Sequence, residues 1–202
     1  MNDNSFWENL EKEIIECRKC ARLVAWREKV ALEKRRMFRE QVYWGKPLPG
    51  FGDHQASILI VGLAPGAHGA NRTGRMFTGD SSGEFLYRAL YKVGIANQPN
   101  SDNREDGLKL NHAYISAVCR CAPPDNKPTP QEIKNCVPYL YREITALKNL
   151  KIIVALGRLA FDQIKLYYQI PSSVEFKHGV EYAIPKSPII LIASYHPSRQ
   201  NT

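Results

Sequence analysis

The chain has 202 residues, enough for one sizeable α/β domain and too few for a second, so we expect a single domain over residues 1–202. Lys and Arg number 28 against 20 Asp and Glu, a net charge of +8, and no apolar run is long enough to suggest a membrane protein. This charge favours a polyanionic partner, nucleic acid before a membrane surface, but is equally compatible with a role in solubility alone.

Apolar residues at helical spacing predict a first helix over residues 5–24, and a strongly basic helix over 26–43 follows. Residues 44–53 form a Pro/Gly-rich loop. The apolar run SILIVGL, residues 57–63, predicts a buried strand. Serines suited to an N-cap begin a helix over 81–93.

The second half of the chain alternates strands and helices. Strands are predicted over residues 113–118, 151–157 and 188–194, helices over about 130–149 and 157–169, a polar loop over 121–130 and a small hairpin over 174–184. Near-continuous apolar strands that alternate with helices predict a three-layer α/β/α sandwich with a central four-stranded parallel sheet.

Ligands bind beyond the carboxyl ends of the strands in such sheets. Two polar loops leave these ends: GLAPGAHGANRTGRMFTGD, residues 62–80, and YHPSRQNT, residues 195–202. The first contains five glycines, whose entropic cost on folding indicates close approach of the backbone to a phosphate or a flat ring. We therefore expect the two loops to form one functional site.

The polar start of the chain, MNDNSFWENLEKEI, has no apolar leader region, so we expect a cytoplasmic protein whose cysteines are reduced. Cys17 and Cys20 form a C-x2-C pair, and Cys121 and Cys136 form a second pair. Four thiolates from two distant segments suit either a tetrahedral zinc or an iron–sulfur cluster. The alternative is that the cysteines near residue 120 are half-buried strand residues without a metal.

The glycine-rich loop, the segment RCAPPDNKPTP with the later Cys136, and the terminal YHPSRQNT together resemble the family 5 (UDGb type) uracil-DNA glycosylases. The resemblance extends from Cys17 to Asn201. It implies a prokaryotic DNA repair enzyme that extrudes uracil from DNA and hydrolyses its N-glycosidic bond. It also implies a structural [4Fe–4S] cluster on Cys17, Cys20, Cys121 and Cys136, with Cys119 as a spare cysteine.

The resemblance also implies roles for residues of the two polar loops. Asp80 and His196 are the catalytic candidates, Asp80 for water activation or cation stabilisation and His196 as donor to uracil O2. For Asp80 the alternative is that it only caps the helix that begins near Ser81. The substrate-binding candidates are Gly62, Ala64, Pro65, Gly66, His68, Asn71 and Phe77, and the DNA-binding candidates are Arg72, Arg75, Ser198 and Arg199. Phe77 would stack on the base, the alternative being a core position.

Two alanines depart from related glycosylases. Ala64 stands where the best-known uracil-DNA glycosylases carry a polar, water-activating residue, and Ala117 stands where relatives often carry a base-reading asparagine. Ala64 is typical of family 5 and leaves the mechanism less defined. Ala117 implies weaker base discrimination, which fits the resemblance to a family that also accepts hypoxanthine and other damaged bases.

Damaged double- or single-stranded DNA is the expected partner, a sliding clamp is a further candidate, and we expect a monomer. Two other hypotheses are a zinc-stabilised, non-catalytic nucleic-acid-binding module and a nucleotide-binding enzyme. The nucleotide-binding hypothesis has little support, since the chain contains neither GxxxxGK[ST] nor GxGxxG.

Overall fold

The structure is a computed structural model that describes residues 3–198 and 201. The strands are β1 (Phe51–Gly52), β2 (Ile58–Gly62), β3 (Ala113–Ala117), β4 (Ile152–Leu156), β5 (Glu181–Ala183) and β6 (Ile190–Ser194). The helices are α1 (Asp3–Ile15), α2 (Ala21–Glu33), α3 (Ala70–Thr73), α4 (Ser81–Lys92), α5 (Pro130–Ala146) and α6 (Arg158–Tyr167). Short 3₁₀ turns lie at Arg36–Phe38 and Pro124–Asn126.

The strands form one sheet in the order β1-β3-β2-β4-β6-β5. The four central strands are parallel, as the sequence predicts, and β1 and β5 add short antiparallel edges. Because β2 and β6 run in the same direction, the loops that follow them leave the same edge of the sheet.

Helices cover both faces of the sheet, which confirms the predicted α/β/α layers. Alternate residues of β2 point to opposite sides: Leu59 and Val61 enter the core beneath α1, α5 and α6, whereas Ile60 packs toward α4. This period of two is what a strand buried on both faces requires.

The predicted first helix, 5–24, is wrong at its end. The helix α1 ends at Ile15, and α2 begins at Ala21 after Cys20 adopts an extended backbone conformation with φ −116°. The residues between the two helices contain no proline or glycine that would signal the break. Cys17 and Cys20 therefore lie in a link between two helices rather than on one helix.

The predicted basic helix, 26–43, and the predicted hairpin, 174–184, are also wrong. The helix α2 stops at Glu33 because Lys34 has φ +55°, and a separate 3₁₀ turn follows. In the hairpin region only β5 forms, and it pairs with β6, which lies beyond the predicted hairpin. In the hairpin region, pairing with β6 thus replaces the predicted local pairing.

Among the residues described, no helix is both long enough and apolar enough to cross a membrane.

Candidate active site

The two polar loops meet at the carboxyl edge of the sheet. The ring of Phe77, from the loop after β2, lies 5.8 Å from the ring of His196, from the loop after β6, with an interplanar angle of 30°. A planar base that contacted one of these rings would therefore lie close to the other.

The backbone around Phe77 leaves no room for additional side chains. A Cβ on Gly62 would lie 2.8 Å from Cζ of Phe77, and one on Gly83 would lie 1.8 Å from its carbonyl oxygen. Phe77 itself has φ +50°, a costly conformation for a bulky residue that is often found at functional sites. Its half-buried side chain packs partly on the core, so both roles considered from the sequence remain compatible with its position.

Asp80 uses its two carboxylate oxygens differently. Its Oδ1 accepts a hydrogen bond from the backbone N–H of Gly83 at 3.1 Å and so caps α4, as the capping alternative predicts. Its Oδ2 faces the glycine-rich loop, where a Cβ on Gly69 would lie 2.0 Å away and one on Gly66 3.0 Å away. Capping therefore occupies one oxygen and leaves the other directed toward the candidate site.

His196 lies half-buried after β6. Burial lowers the pKa of His196, and the negative charge of Asp80 opposes this shift only in part. The imidazole is therefore neutral at pH 7 and can donate one hydrogen bond. The backbone carbonyl of His196 accepts hydrogen bonds from the N–H of Ser198 and from Nδ2 of Asn201, which orders this turn.

His68 contacts a residue that the sequence analysis does not single out. Its Nδ1 lies 3.1 Å from the hydroxyl of Tyr43, which also accepts a hydrogen bond from the backbone N–H of Arg35. The hydroxyl therefore joins His68 to the backbone of Arg35 through two hydrogen bonds. Burial, followed by the charges of Arg35 and Arg72, lowers the pKa of His68, so this ring is also neutral at pH 7.

Arg72 and Arg75, two of the DNA-binding candidates, are buried, and their guanidinium groups contact other parts of the protein. Arg72 donates to the carbonyls of His68 and Gly79. Arg75 forms a two-pronged ion pair with Asp106, each N–O distance being 2.7 Å. The sequence shows that these residues are basic but cannot show that both are buried or that Arg75 is paired with a carboxylate.

The remaining candidates occupy varied environments. Asn71 is fully buried, and its Nδ2 lies within 3.4 Å of the carbonyls of Arg27 and Ala67, which indicates a structural contact. Ala64 and Gly66 are half-buried on the loop, and Pro65 is buried. Ser198 is half-buried in the turn after His196, and Arg199 lies outside the described residues.

A small cavity lies at the link between α1 and α2. All four cysteines implied as ligands line it, namely Cys17, Cys20, Cys121 and Cys136, and its volume is about 20 Å³. Within residues 3–198 and 201, no three His, Cys, Asp or Glu side chains are arranged to hold a single metal ion.

Hydrogen-bond donors surround the sulfurs of this cavity. The guanidinium of Arg27 donates to Sγ of Cys121 at 2.9 Å, and the backbone N–H of Arg120 donates to Sγ of Cys136 at 3.2 Å. A hydrogen bond with Cys119 is the main cause that lowers the pKa of Cys136 to about 7. Cys119 therefore contacts Cys136 but does not line the cavity.

Two buried arginines at the cavity carry nitrogens without a hydrogen-bond partner among the residues described: Nε of Arg27, and Nε and Nη1 of Arg120. Buried donors of this kind are costly unless an acceptor satisfies them. A negatively charged group bound by four thiolates would supply such acceptors, so the residues present fit an anionic metal–sulfur group.

A separate apolar groove of about 450 Å³ runs along the sheet between α4 and the turn of His196. Its floor is formed by side chains of β2, β4 and β6, and neither Phe77 nor Asp80 lines it. His196 does line the groove, so the groove adjoins the place where the two polar loops meet.

Comparison with known proteins agrees with this arrangement. The family model described as the uracil DNA glycosylase superfamily matches residues 49–202. The type-5 uracil-DNA glycosylase of Mycobacterium leprae is 50% identical over 196 residues, which cover 95% of this chain and 85% of the relative. The type-5 enzyme of Thermus thermophilus is 49% identical over 187 residues, which cover 92% and 84% respectively.

A type-4 uracil-DNA glycosylase, from Archaeoglobus fulgidus, is 31% identical over 198 residues, 95% of this chain and 81% of that protein. The identity to the two type-5 enzymes is therefore higher than the identity to this type-4 enzyme. This chain therefore belongs to the uracil-DNA glycosylase superfamily and, within it, to the type-5 family.

Proposed function

We propose that this protein is a monofunctional DNA repair glycosylase that hydrolyses the N-glycosidic bond of uracil in DNA and leaves an abasic site. The observation that carries the proposal is the approach of Phe77 to His196, which joins the loop after β2 to the loop after β6. The type-5 relatives bear the name of this activity. Neither loop contains a lysine, which a lyase would need as an amine nucleophile.

The chemistry assigns a task to each side chain at this junction. Cleavage of the glycosidic bond develops negative charge on the leaving uracil and positive charge on the sugar. A uracil extruded from the duplex would stack on Phe77. The neutral imidazole of His196 would donate a hydrogen bond to uracil O2, an interaction that strengthens as charge develops in a site shielded from water.

Asp80 would act on the sugar side of the bond. Its Oδ2 is directed toward the glycine-rich loop, where a carboxylate can stabilise the cationic sugar or accept a proton from the attacking water. Ala64 offers no polar group for this purpose, which leaves Asp80 as the carboxylate of the loop. The backbone N–H groups from Gly62 to Gly69 would face the base and its flanking phosphates.

We also propose that Cys17, Cys20, Cys121 and Cys136 hold a [4Fe–4S] cluster. Their place around one cavity, and the unsatisfied nitrogens of two arginines there, support the proposal. When bound, the cluster supplies covalent iron–thiolate cross-links from the α1–α2 link to Cys121, which follows β3, and to Cys136 within α5. Arg27 and Arg120 would neutralise part of its negative charge.

Hypoxanthine is proposed as a second substrate. Ala117 is buried at the carboxyl end of β3, paired with Gly62, and its methyl group packs into the core. The side chain at this position therefore offers no amide to select uracil over other bases.

DNA is the partner that this activity requires. A monomeric state, a sliding clamp as additional partner, and a cytoplasmic location stay predictions from the sequence.

A single assay tests the main proposal. Purified protein is incubated with duplexes that contain one uracil, one hypoxanthine, one hydroxymethyluracil or only normal bases, and alkali-labile sites are scored. We expect abasic sites in the uracil and hypoxanthine duplexes and none in the normal duplex. DNA binding without excision of any of these bases would instead support a non-catalytic nucleic-acid-binding module.

A further inference from the structure

A basic segment, residues 34–42 (KRRMFREQV), lies beside the candidate active site and has no part in the chemistry described above. It begins where Lys34 ends α2 with φ +55°, and it includes the 3₁₀ turn Arg36–Phe38. Arg35, Arg36 and Arg39 are exposed. Met37 and Val42 are also exposed, at 67% and 91%.

The basic segment is fastened to the glycine-rich loop by Arg72. The guanidinium carbon of Arg72 lies 3.8 Å from the centroid of the Phe38 ring, a cation–π contact. Its Nη1 donates to Oε1 of Gln41 at 2.6 Å. The buried charge of Arg72 thus holds the segment in place from the side of the active-site loop.

Backbone contacts continue this attachment just beyond the segment. The N–H of Trp44 donates to the carbonyl of Arg72, and the N–H of Gly45 donates to that of Asn71. Together with the contact between Tyr43 and His68, these bonds fix the basic segment against α3. Both side-chain contacts and backbone hydrogen bonds therefore fix the position of the basic segment relative to the candidate active site.

The three exposed arginines are not neutralised by the rest of the protein. No carboxylate of the described chain forms a salt bridge with Arg35, Arg36 or Arg39, whereas Arg18, Arg22, Arg75 and Arg120 all have such partners. A buried or ion-paired arginine must give up its internal contacts before it can bind a polyanion. An exposed and unpaired arginine has no such contacts to give up. A surface of this composition next to a base-binding site matches the phosphate backbone of a duplex.

We propose that the basic segment is a DNA-binding element in which Arg35, Arg36 and Arg39 contact backbone phosphates beside the extruded nucleotide. This inference rests on the proposed glycosylase function. Phosphate contacts position a protein on DNA without reading sequence, which suits an enzyme that must act on a damaged base in any context. Arg72, a DNA-binding candidate from the sequence, would support this element indirectly, by holding Phe38 and Gln41 in place.

The test compares two triple variants with equal loss of charge. In the first, Arg35, Arg36 and Arg39 are replaced by glutamine. In the control, Lys148, Lys151 and Lys186 are replaced by glutamine; these exposed lysines lie near the amino ends of β4 and β6, at the opposite edge of the sheet. Affinity for a duplex that carries a non-hydrolysable abasic analogue is measured as a function of salt concentration.

The logarithm of the DNA association constant falls with the logarithm of the salt concentration, and each lost phosphate contact makes this slope shallower by about 1. We expect the arginine variant to bind more weakly at low salt, with a slope shallower by about 3. The control variant should retain the wild-type slope. A wild-type slope in the arginine variant, or an equal loss in the control, would overturn the inference.

The outcome is separable from that of the proposed function. Failure of the wild-type protein to release uracil would overturn the glycosylase assignment. Uracil release by the wild-type protein combined with an unaltered slope in the arginine variant would overturn only the role of the basic segment. Unfolding curves of both variants establish that the comparison is made between folded proteins.

Discussion

At the scale of single residues, Asp80 shows how one side chain can serve both the fold and the proposed chemistry. The carboxylate caps α4 through Oδ1, and the same anchor directs Oδ2 toward Gly66 and Gly69. Glycine is needed at residue 69, because a Cβ there would lie 2.0 Å from Oδ2. The sequence presents capping and catalysis as alternatives, but the geometry makes them compatible.

Two substitutions of Asp80 should separate these tasks. Asparagine is as good an N-cap as aspartate, so Asp80→Asn should leave the free energy of unfolding nearly unchanged while slowing single-turnover uracil excision by about 10²–10⁴-fold. Asp80→Ala should slow excision to a similar extent and also lose about 1 kcal/mol of stability. Excision at the wild-type rate by the asparagine variant would show that the carboxylate has no catalytic role.

The ionisation of His196 provides a second prediction. Burial lowers its pKa and the charge of Asp80 raises it. Titration of the imidazole by NMR should give a pKa below the ordinary value of about 6.5, and Asp80→Asn should lower this pKa further. If the variant instead showed an unchanged or higher pKa, the two side chains would not be coupled as the structure indicates.

Arg75 illustrates a basic residue whose role is structural. It pairs with Asp106 in a site where both side chains are largely buried, and Arg75 holds the pKa of Asp106 well below its usual range. Arg75→Met leaves that carboxylate without its partner and should cost about 3–5 kcal/mol of unfolding free energy. Arg158→Met is the control, since this exposed (i, i+4) pair with Asp162 should contribute less than about 0.5 kcal/mol.

The DNA affinity of the folded Arg75→Met protein bears on the same point. It should show the wild-type salt dependence, because a buried, paired guanidinium releases no counterion from DNA. If the DNA association constant of the variant depended less steeply on salt concentration than that of the wild-type protein, Arg75 would be a phosphate contact after all.

At the scale of elements, the link between α1 and α2 is where local sequence pattern and structure disagree most. Apolar residues continue at helical spacing through the link, so a single helix is the natural prediction for residues 5–24. The break places Cys17 and Cys20 on one cavity with Cys121 and Cys136. These two pairs of cysteines are about a hundred residues apart in the chain, and helical periodicity cannot predict that tertiary packing brings them together.

The proposed cluster makes a prediction at this scale. Protein purified without oxygen should absorb broadly in the visible region, and Cys20→Ser should remove much of this absorbance and its iron. Cys119→Ser is a matched control, because Cys119 contacts Cys136 but does not line the cavity; it should retain the cluster. A colourless wild-type protein that contains zinc would contradict the iron–sulfur assignment.

Arg27 offers a further variant of the same cavity. Arg27→Gln removes the charged donor to Cys121 and should accelerate release of iron to a chelator, whereas Arg18→Gln, at an exposed pair, should not. Equal release rates in the two variants would show that Arg27 does not stabilise the site.

At the scale of the whole molecule, two half-buried histidines couple stability to pH. Burial lowers the pKa of both His68 and His196. The unfolded state then binds protons that the folded state does not, so stability falls as pH drops through the window that begins near the unfolded histidine pKa of about 6.5. Melting temperature should therefore decrease between about pH 7 and about pH 5.

The double variant His68→Gln, His196→Gln isolates this contribution. Its melting temperature should decrease less over the same interval than that of the wild-type protein. His112→Gln serves as control, since His112 is exposed. An equal decrease in the wild-type protein and the double variant would show that these two rings do not control the acid sensitivity.

The family, the parallel direction of the four central strands and the positions of the two polar loops follow from the amino-acid sequence alone. Each rests on a signal carried by neighbouring residues: apolar strands, a glycine-rich stretch, and a histidine after the last strand. The cysteine spacing likewise indicates a shared site, although it leaves open what that site holds.

Which basic side chains are buried, and which oxygen of Asp80 caps a helix, could not be inferred from such local signals. Arg72 and Arg75 look like surface residues in the sequence, yet Phe38, Gln41 and Asp106 occupy their guanidinium groups. These partners lie about thirty residues away along the chain and meet only when the sheet assembles. Local periodicity reports how a segment folds, whereas the burial and pairing of a charge depend on segments that only tertiary packing brings together.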